Sequence, residues 1–405
     1  MVSTPDLHDE PLVDRYVLVG LRLGRHLDGL VDAYYGPEAH RRVVAREPLV
    51  DPAVLAGEAR ALLGELEPTA GCSLDPARRH WLGAQVRGLA TTAARLAGAV
   101  IGYADEVEAC YGVRPRWIDE EDLVAAHRRL DEALPGSGPV VERLTTWREA
   151  QAVPVDRLPG VLHSLCDDLR ERTGRLFGLP DGERVDIELV TDRPWSGFNY
   201  YLGDLRSRIA VNIDLPVLAP GLAHLMAHEA YPGHHTEHTR KEVGLVRRRN
   251  LVEETIFLVG TPQCLMAEGL ADLGLEVVVS PHAGAQMTML AGHLRSQGVP
   301  FDQEVATAVA EASEGLGRVR GNVALLLHER GAAVEEAVSY GQQWGLMPRN
   351  RAEKLVSFLN DPVWRAYMTC YVEGFPLCRQ FVGGDPARFA RLLDEQLTPG
   401  DLGLS

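Results

Sequence analysis

The sequence has almost no lysine: only Lys241 and Lys354 occur among its 405 residues, and arginine supplies nearly all the positive charge. Basic residues number 41 against 57 acidic ones, which gives a formal net charge of −16. A protein with this charge balance repels nucleic acid and anionic membrane surfaces on average. We therefore expect neither of them as a partner.

Two further absences concern membranes and cysteine chemistry. The chain has no apolar run of roughly 18 residues or more, the length that a membrane-spanning helix needs. Its first residues carry acids before any apolar stretch, the opposite of a secretory signal peptide. No CxxC spacing occurs among the cysteines, so we expect neither a disulfide framework nor a thiolate metal site. These features predict a cytoplasmic protein. The cysteines are Cys72, Cys110, Cys166, Cys264, Cys370 and Cys378.

Helical periodicity dominates most of the chain. Residues 10–175 repeat apolar positions at steps of three and four, and an Asp-Pro pair at residue 51 is typical of a helix start. Helical patterns return from residue 221 onward and include one long helix expected over 251–279. We predict a mainly α fold with an N-terminal helical region over 1–178 and a second region over 179–405. The two regions are expected to pack as one compact unit around a cleft.

The exception to helical periodicity begins near residue 178. β-Branched and aromatic residues become frequent there, and Asp-Gly and Ser-Gly pairs mark turns. This pattern predicts strands at about 184–190, 197–202 and 206–213. We expect them to form one small antiparallel β-sheet immediately before the helix that carries a histidine cluster.

That cluster is HLMAHEAYPGHHTEH, residues 224–238, with five histidines and two glutamates in fifteen positions. His228-Glu229 matches the start of HExxH, in which one helix offers two histidines to a zinc ion. However, Pro232 stands where the second histidine of that motif belongs. The cluster is therefore a differently built metal site, a broken one, or a set of solvated histidines.

The spacing of the histidines decides what kind of site they can form. In a regular helix His228 and His234 point to different sides, and His235 lies roughly 10 Å from His228. The proline lacks an N–H group and the following glycine accepts unusual dihedral angles. We therefore expect a helix break within residues 231–233 that brings His234 beside His228, with His235 as the other candidate. If the helix continues unbroken, His224 and His228 are the better pair.

A catalytic zinc site needs a third protein ligand and an open position for water. In TPQCLMAEGLADLGLEV, Glu268 and Asp272 lie four residues apart on one helix face among leucines. Burying a charged Glu268 is costly without a partner, and a zinc ion is such a partner. Asp272, one turn later, can accept the outer N–H of a ligand histidine and fix its orientation. The alternative is an ordinary acidic pair on a helix surface.

The run His228-Glu229-Ala-Tyr-Pro-Gly-His234-His235, followed by Glu268-Gly269, resembles the DUF885 proteins, a family of zinc metallopeptidases of the gluzincin type. The preceding PWSGFNYYLGDLRSRIAVNIDLP is similar to that family's approach to the motif, so the resemblance covers about residues 193–275. It implies a multi-helix metallopeptidase-like fold with Zn²⁺ as the cofactor. By this resemblance the zinc ligands are His228, His234 and Glu268, the catalytic base is Glu229, and the supporting residues outside the ligand set are Asp272 and His235.

This set of residues indicates amide hydrolysis. Zinc polarises a carbonyl group and lowers the pKa of bound water, and Glu229 would carry the water's proton to the leaving amine. The oxyanion formed in this reaction needs a hydrogen-bond donor beyond the metal. The segment WRAYMTCYVEG offers Tyr367 and Tyr371. Tyr371 matches the family's tyrosine before a glycine, so we predict it as the second catalytic residue.

The predicted substrate is a short peptide, because helices on both sides of a small catalytic unit would enclose the site in a cleft. The strand at 206–213 is expected to be an exposed edge that pairs with an extended peptide. Two alternatives remain: hydrolysis of a non-peptide amide, and a helical binding protein without catalysis, which leaves Glu229 without a role. A peptide carboxylate would be bound by one of five arginines, Arg206, Arg208, Arg295, Arg318 or Arg320.

Overall fold

The computed structural model describes residues 11–70, 72–193 and 195–403. The expectation that the acidic first residues are not a signal peptide concerns residues 1–10, which lie outside the described part. The predicted mainly α fold is confirmed. The first part of the chain contains α1 (Pro11–Gly24), β1 (Val31–Tyr34), α2 (Glu38–Arg46), α3 (Pro52–Glu65), α4 (Pro76–Leu96), α5 (Tyr103–Tyr111), α6 (Glu120–Ala133), α7 (Val140–Ala150) and α8 (Leu158–Phe177). The middle contains β2 (Arg184–Val190), β3 (Gly197–Gly203), β4 (Arg206–Asn212), α9 (Leu222–Glu229), α10 (His234–Lys241), β5 (Ile256–Leu258) and α11 (Pro262–Val278). The last part contains α12 (Ala283–Ser296), α13 (Gln303–Ala312), α14 (Val319–His328), α15 (Val334–Gly345), α16 (Arg349–Leu359), α17 (Phe375–Val382) and α18 (Pro386–Asp394).

Asp-Pro pairs start three of these helices, α3, α4 and α18. The carboxylates of Asp51, Asp75 and Asp385 accept a hydrogen bond from the amide two residues later, at 2.7, 3.0 and 2.8 Å respectively. The proline that follows each aspartate has no N–H to leave unpaired in the first turn. The first of these caps explains why the Asp51-Pro52 pair located the start of α3 correctly.

The three predicted strands are present, but the prediction that their sheet is antiparallel is wrong for one pairing. The strand order is β2-β4-β3, with β3 antiparallel to β4 and β2 parallel to β4. A tight turn at Asp204 and Leu205, both with positive φ, joins β3 to β4 as a hairpin. β4 occupies the centre because Ile209 and Val211 are fully buried. β4, which we expected to be an exposed edge strand, therefore pairs with a strand on each side.

A second, two-stranded sheet replaces part of the predicted helix over 251–279. β5 pairs antiparallel with β1, and α11 begins only at Pro262. The run Ile256–Leu258 favours a strand because it is β-branched and aromatic, and Gly260 at φ +82° lets the chain turn afterwards. The register shifts between Val31 and Ala33, so Asp32 is the extra residue of a β-bulge. Its pairing partner is distant in sequence, so local periodicity could not reveal it.

Two hydrophobic clusters form the interior, and α11 contributes to both. The first contains side chains of α1, α3, α4, β5 and the C-terminal helices, together with Leu265 and Leu270 of α11. The second contains side chains of α8, β4, α9 and α12, together with Leu275 and Val278 of α11. The division into regions at residue 178 stays a prediction. Within the described ranges, no helix has both the length and the apolar character needed to cross a bilayer.

Candidate metal centre

The predicted break in the histidine-rich helix is confirmed. α9 ends at Glu229 and α10 begins at His234. The backbone stays hydrogen-bonded across the break, because the Gly233 amide donates to the Ala227 carbonyl at 2.9 Å. A Cβ atom on residue 233 would lie 1.9 Å from the carbonyl oxygen of His228, so only glycine permits this approach.

The break brings His228 and His234 together with Glu268 of α11. The two Nε2 atoms lie 3.1 Å apart. Glu268 Oε2 lies 3.3 Å from His228 Nε2, and Glu268 Oε1 lies 3.7 Å from His234 Nε2. One ligand atom from each residue lies within 4.8 Å of the others, and we call these three residues the metal group. His235 does not join them.

The donor set of the metal group fits a divalent metal ion. Two imidazole nitrogens and one carboxylate oxygen suit zinc and its neighbours among the transition metals. Glu268 Oε2 is buried and makes no hydrogen bond with the described residues; its basic neighbour among them is the His228 ring, 3.3 Å away, and a bound cation would compensate its charge more fully. Burial lowers the pKa of His234 to about 4, which keeps its ring neutral as a ligand requires.

Asp272 lies one turn after Glu268 and contacts the outer side of His228. Its Oδ1 atom is 2.8 Å from His228 Nδ1, so Nε2 faces the metal group. Burial opposes ionisation of Asp272, but hydrogen bonds from His224 and His228 hold its pKa below the ordinary value. An ionised carboxylate in this position fixes both the tautomer and the ring orientation of His228.

His235 was predicted beside the metal, but its ring points to another part of the structure. Its Nδ1 atom contacts Ser207 Oγ and its Nε2 atom contacts Glu183 Oε2, each at 2.8 Å. Tyr231 donates to the same Glu183 oxygen. These contacts tie His235 to β4 and tie both Tyr231 and His235 to the residue before β2, which is a different role from direct support of a metal ligand. Sequence spacing could not show which of His234 and His235 faces the metal group, because it does not give the direction of the chain after the helix break.

Glu229 is enclosed next to the metal group. Glu229 is 7% exposed. Its main-chain carbonyl oxygen accepts a hydrogen bond from Asn199 Nδ2 of β3 at 2.5 Å. Gly197, at the start of β3, leaves room beside the carboxylate, because a Cβ atom there would lie 3.4 Å from Glu229 Oε1. Burial raises the pKa of Glu229 to about 7. A carboxyl group with this pKa can accept and release a proton near neutral pH.

Both candidate tyrosines reach the metal group from one late segment. Tyr367 donates to Glu268 Oε1 at 2.7 Å, and its hydroxyl lies 3.1 Å from that of Tyr371. The Tyr371 ring centroid is 6.5 Å from that of His228. Tyr371 belongs to a π-helical turn, Cys370–Gly374, a distortion that is common at functional sites. The sequence thus pointed to the right segment, and within it the Tyr367 hydroxyl donates to a member of the metal group. The catalytic role of Tyr371 stays a prediction.

Asp32 is a carboxylate near the site that the sequence pattern did not reveal. Burial, followed by the charges of Glu268 and Glu229, raises the pKa of Asp32 to about 8. It therefore lies in the same acidic surroundings, on the bulge of β1. The alternation of apolar and polar residues in VDAYYGP indicates a strand at this position, whereas we predicted a helix there.

The five arginines predicted as carboxylate binders are spread over the structure. Arg208 of β4 makes an ion pair with Glu188 at 3.4 Å and lies over the Tyr200 ring. Arg318 differs from the others, because its Nε atom is buried without a hydrogen-bond partner among the described residues. Arg206, Arg295 and Arg320 are exposed. Which of them binds substrate stays a prediction.

A cavity of about 490 Å³ lies away from the metal group. None of its lining residues belongs to that group or to the tyrosine pair, so the cavity does not represent the predicted cleft. Its walls combine apolar and arginine side chains from the loop before β2, the turn before β4 and the segment after α10. The lining residues are Leu179, Pro180, Asp181, Leu205, Val243, Arg247 and Arg248.

We expect Gly233→Ala to destabilise the protein and to weaken metal binding. The new methyl group would meet the His228 carbonyl, and overpacking of this kind costs about 1–3 kcal/mol. Chemical denaturation and a metal titration measure the two effects. Gly292→Ala in α12 is the matched control, since nothing lies within 4 Å of its added methyl group. The control should be neutral or more stable by about 0.5–1 kcal/mol, and equal stabilities of the two variants would contradict the close approach at residue 233.

No protein-family model matches the chain, and no curated protein does. Among solved structures, a candidate lipoprotein from Colwellia psychrerythraea matches with a TM-score of 0.50 and 15% identity, covering 86% of this chain and 65% of that one. A candidate lipoprotein of unknown function from Shewanella oneidensis has a TM-score of 0.48 and 14% identity, covering 96% and 81% of the two chains. A carboxypeptidase from Pyrococcus furiosus has a TM-score of 0.46 and 12% identity, covering 97% and 90%. The Colwellia likeness shows a similar fold, and this chain spans less than two thirds of that protein's length.

Proposed function

We propose that this chain is a zinc-dependent hydrolase that cleaves amide bonds in short peptides, as its resemblance to the DUF885 proteins implies. The observation that carries the proposal is the metal group with Glu229 beside it. A purely structural metal site has no use for a buried carboxyl group that is adjacent to a ligand but outside the ligand set. A hydrolytic site requires that group as a proton carrier.

The chain's own residues divide the work of hydrolysis among them. When bound, zinc supplies a Lewis acid that polarises the scissile carbonyl and makes water more acidic. Glu229 takes the proton from the attacking water and returns it to the leaving amine. Asp272 keeps His228 in the tautomer that presents Nε2 to the metal group.

Negative charge on the substrate oxygen requires a donor placed in advance. We assign this role to the Tyr371 hydroxyl, which lies 3.1 Å from the Tyr367 hydroxyl. Tyr367 is itself committed to Glu268 Oε1, so it holds the carboxylate ligand and leaves Tyr371 to face substrate. The two tyrosines therefore have different proposed roles although they are one turn apart.

Burial of the reacting groups limits the size of the substrate. His228 is 8% exposed and Glu268 is 4% exposed. A folded protein cannot bring a backbone segment to groups this enclosed, whereas a short extended peptide can. We therefore place short peptides above intact proteins as substrates.

Metal analysis on untagged protein, followed by substrate profiling, tests the proposal. We expect about one zinc per chain, as for a catalytic site with three protein ligands. Chelation should abolish hydrolysis, and added zinc should restore it. A mixture of short peptides should be cleaved while a casein-type protein is not, with mass spectrometry as the readout. Protein free of metal would refute the metal site, and zinc-loaded protein inactive on every peptide would favour a non-peptide amide as substrate.

Substitution of the two tyrosines separates their proposed roles. Tyr371→Phe should lower kcat by about 10²-fold, the usual effect of removing one oxyanion donor, with metal affinity unchanged. Tyr367→Phe should lower metal affinity by about 10-fold or more, because a ligand carboxylate loses its orienting donor. Steady-state kinetics and competitive metal titration provide the two readouts. A Tyr371→Phe variant with wild-type kcat would remove this residue from the mechanism.

A further inference from the structure

A second cluster of possible metal ligands lies on the outer side of His228. His224, His228 and Asp272 each offer a ligand atom within 4.8 Å of the others. The two histidines are four residues apart on α9 and therefore share a face, with ring centroids 5.8 Å apart. His224 Nε2 lies 3.3 Å from Asp272 Oδ1, the same oxygen that contacts His228 Nδ1 at 2.8 Å.

This outer cluster reaches solvent through His224, unlike the metal group, while the Asp272 side chain is 17% exposed. The His224 side chain is 51% exposed, whereas that of His228 is 10% exposed. Imidazole nitrogen and carboxylate oxygen are common ligands of zinc and related divalent ions. A hydrated ion can therefore reach His224 directly from solvent, and the Asp272 oxygen that lies 3.3 Å from its Nε2 atom is the next ligand.

We propose that His224 and Asp272 form a second, weaker divalent-metal site, which inhibits the enzyme when it is filled. His228 cannot serve both ions fully, because its Nε2 faces Glu268 while its Nδ1 donates to Asp272. The second ion is then held by two protein ligands and water, one protein ligand fewer than the metal group supplies. Its affinity is correspondingly lower.

Inhibition follows from the oxygen that both histidines contact. An ion bound by Asp272 competes with the His228 N–H for that carboxylate. His228 then loses the partner that fixes its tautomer, and loss of such partners typically costs about 10–100-fold in metal affinity or activity. The binding part of this inference is independent of catalysis, and only the inhibitory part rests on the proposed function.

Both sites involve His228, so disabling the metal group should change metal binding at the outer site. If the metal group is disabled by His234→Ala, His228 is released from the first ion. Its Nδ1 atom can then join His224 and Asp272 as a third ligand. The outer site should therefore bind more tightly in this variant than in the wild type, although the inner site is lost.

Equilibrium dialysis against increasing free Zn²⁺, with elemental analysis of bound metal, is the direct experiment. The wild type should bind one ion tightly and a second one weakly. His224→Ala and His224→Asn should keep the tight ion and weaken the second by more than about 10-fold. His282→Ala, a change at another exposed histidine, should match the wild type. In His234→Ala, the remaining ion should be lost when His224 is also replaced.

Hydrolysis at rising zinc concentration gives a second readout, with each variant normalised to its own rate at low zinc. Half-inhibition should require more than about 10-fold more zinc in His224→Ala than in the wild type or in His282→Ala. A second ion that binds His224→Ala as tightly as the wild type would overturn the proposed site. Zinc inhibition that is unchanged by the loss of His224 would overturn the inhibitory role. Failure of the proposed function would instead appear as absent hydrolysis with the His224-dependent second ion still present.

Discussion

Glu229→Gln should reduce kcat by about 10²–10⁴-fold, the usual contribution of a general base, while zinc binding stays close to that of the wild type. Glutamine preserves the shape of the side chain and removes its ability to carry a proton. Glu229 contributes no atom to the metal group, so the ligand set is unchanged. Stopped assays with a short peptide measure the rate, and elemental analysis measures the bound metal.

Two comparisons make this result specific. Glu304→Gln, at an exposed position of α13, should leave the rate and the metal content unchanged. Loss of metal together with activity in Glu229→Gln would instead indicate a structural effect on the neighbouring His228. A Glu229→Gln enzyme with more than about a tenth of the wild-type rate is incompatible with a general-base contribution of this size.

His228→Ala is expected to abolish hydrolysis and tight binding at the metal group, leaving only the weak site at His224 and Asp272. His228 contacts His234 and Glu268 through one ring nitrogen and Asp272 through the other, so it is the centre of the site. Changes to partners outside a ligand set already cost about 10–100-fold in affinity. Removing a ligand outright should therefore lower zinc affinity by more than about 100-fold. Competitive titration against a chromogenic chelator measures this loss.

The same variant should also be less stable without metal. Burial disfavours a charge on His228, but the Asp272 and Glu268 carboxylates beside its ring raise its pKa well above the ordinary value, so in the metal-free protein it is the cation of a buried ion pair. Breaking such a pair costs about 3–5 kcal/mol. His163→Ala on α8, at an exposed position, is the control for a histidine substitution and should change neither property. A His228→Ala protein that binds zinc like the wild type would show that the metal is held elsewhere.

The predictions from sequence were most accurate where interactions between residues close in sequence determine the structure. Pro232 and Gly233 made a regular helix impossible, and the structure breaks the helix between Glu229 and His234 as expected. The three strands after residue 183 were placed within about a residue, because β-branched residues and turn signals act locally. The helix start at Asp51-Pro52 was equally clear.

Features that depend on partners far away in sequence could not be predicted. The pairing of β1 with β5, the parallel pairing of β2 with β4 and the nearness of Asp32 to Glu268 belong to this class. The orientation of His235 is another case, because its contact with Glu183 depends on how the sheet packs against α10. A single sequence shows which segments are strands or helices. Which of these segments contact each other depends on burial in the assembled fold.

The position of α11 in both hydrophobic clusters has a consequence for how the molecule unfolds. The whole helix can unfold only when both clusters open, so the free energy of opening the complete helix should approach that of global unfolding. An ion bound at Glu268 is linked to the same event, because a ligand of the native state raises the free energy of every opening that releases it. Metal addition should therefore slow hydrogen exchange far beyond the ligand residues, in helices of both clusters that never contact the ion.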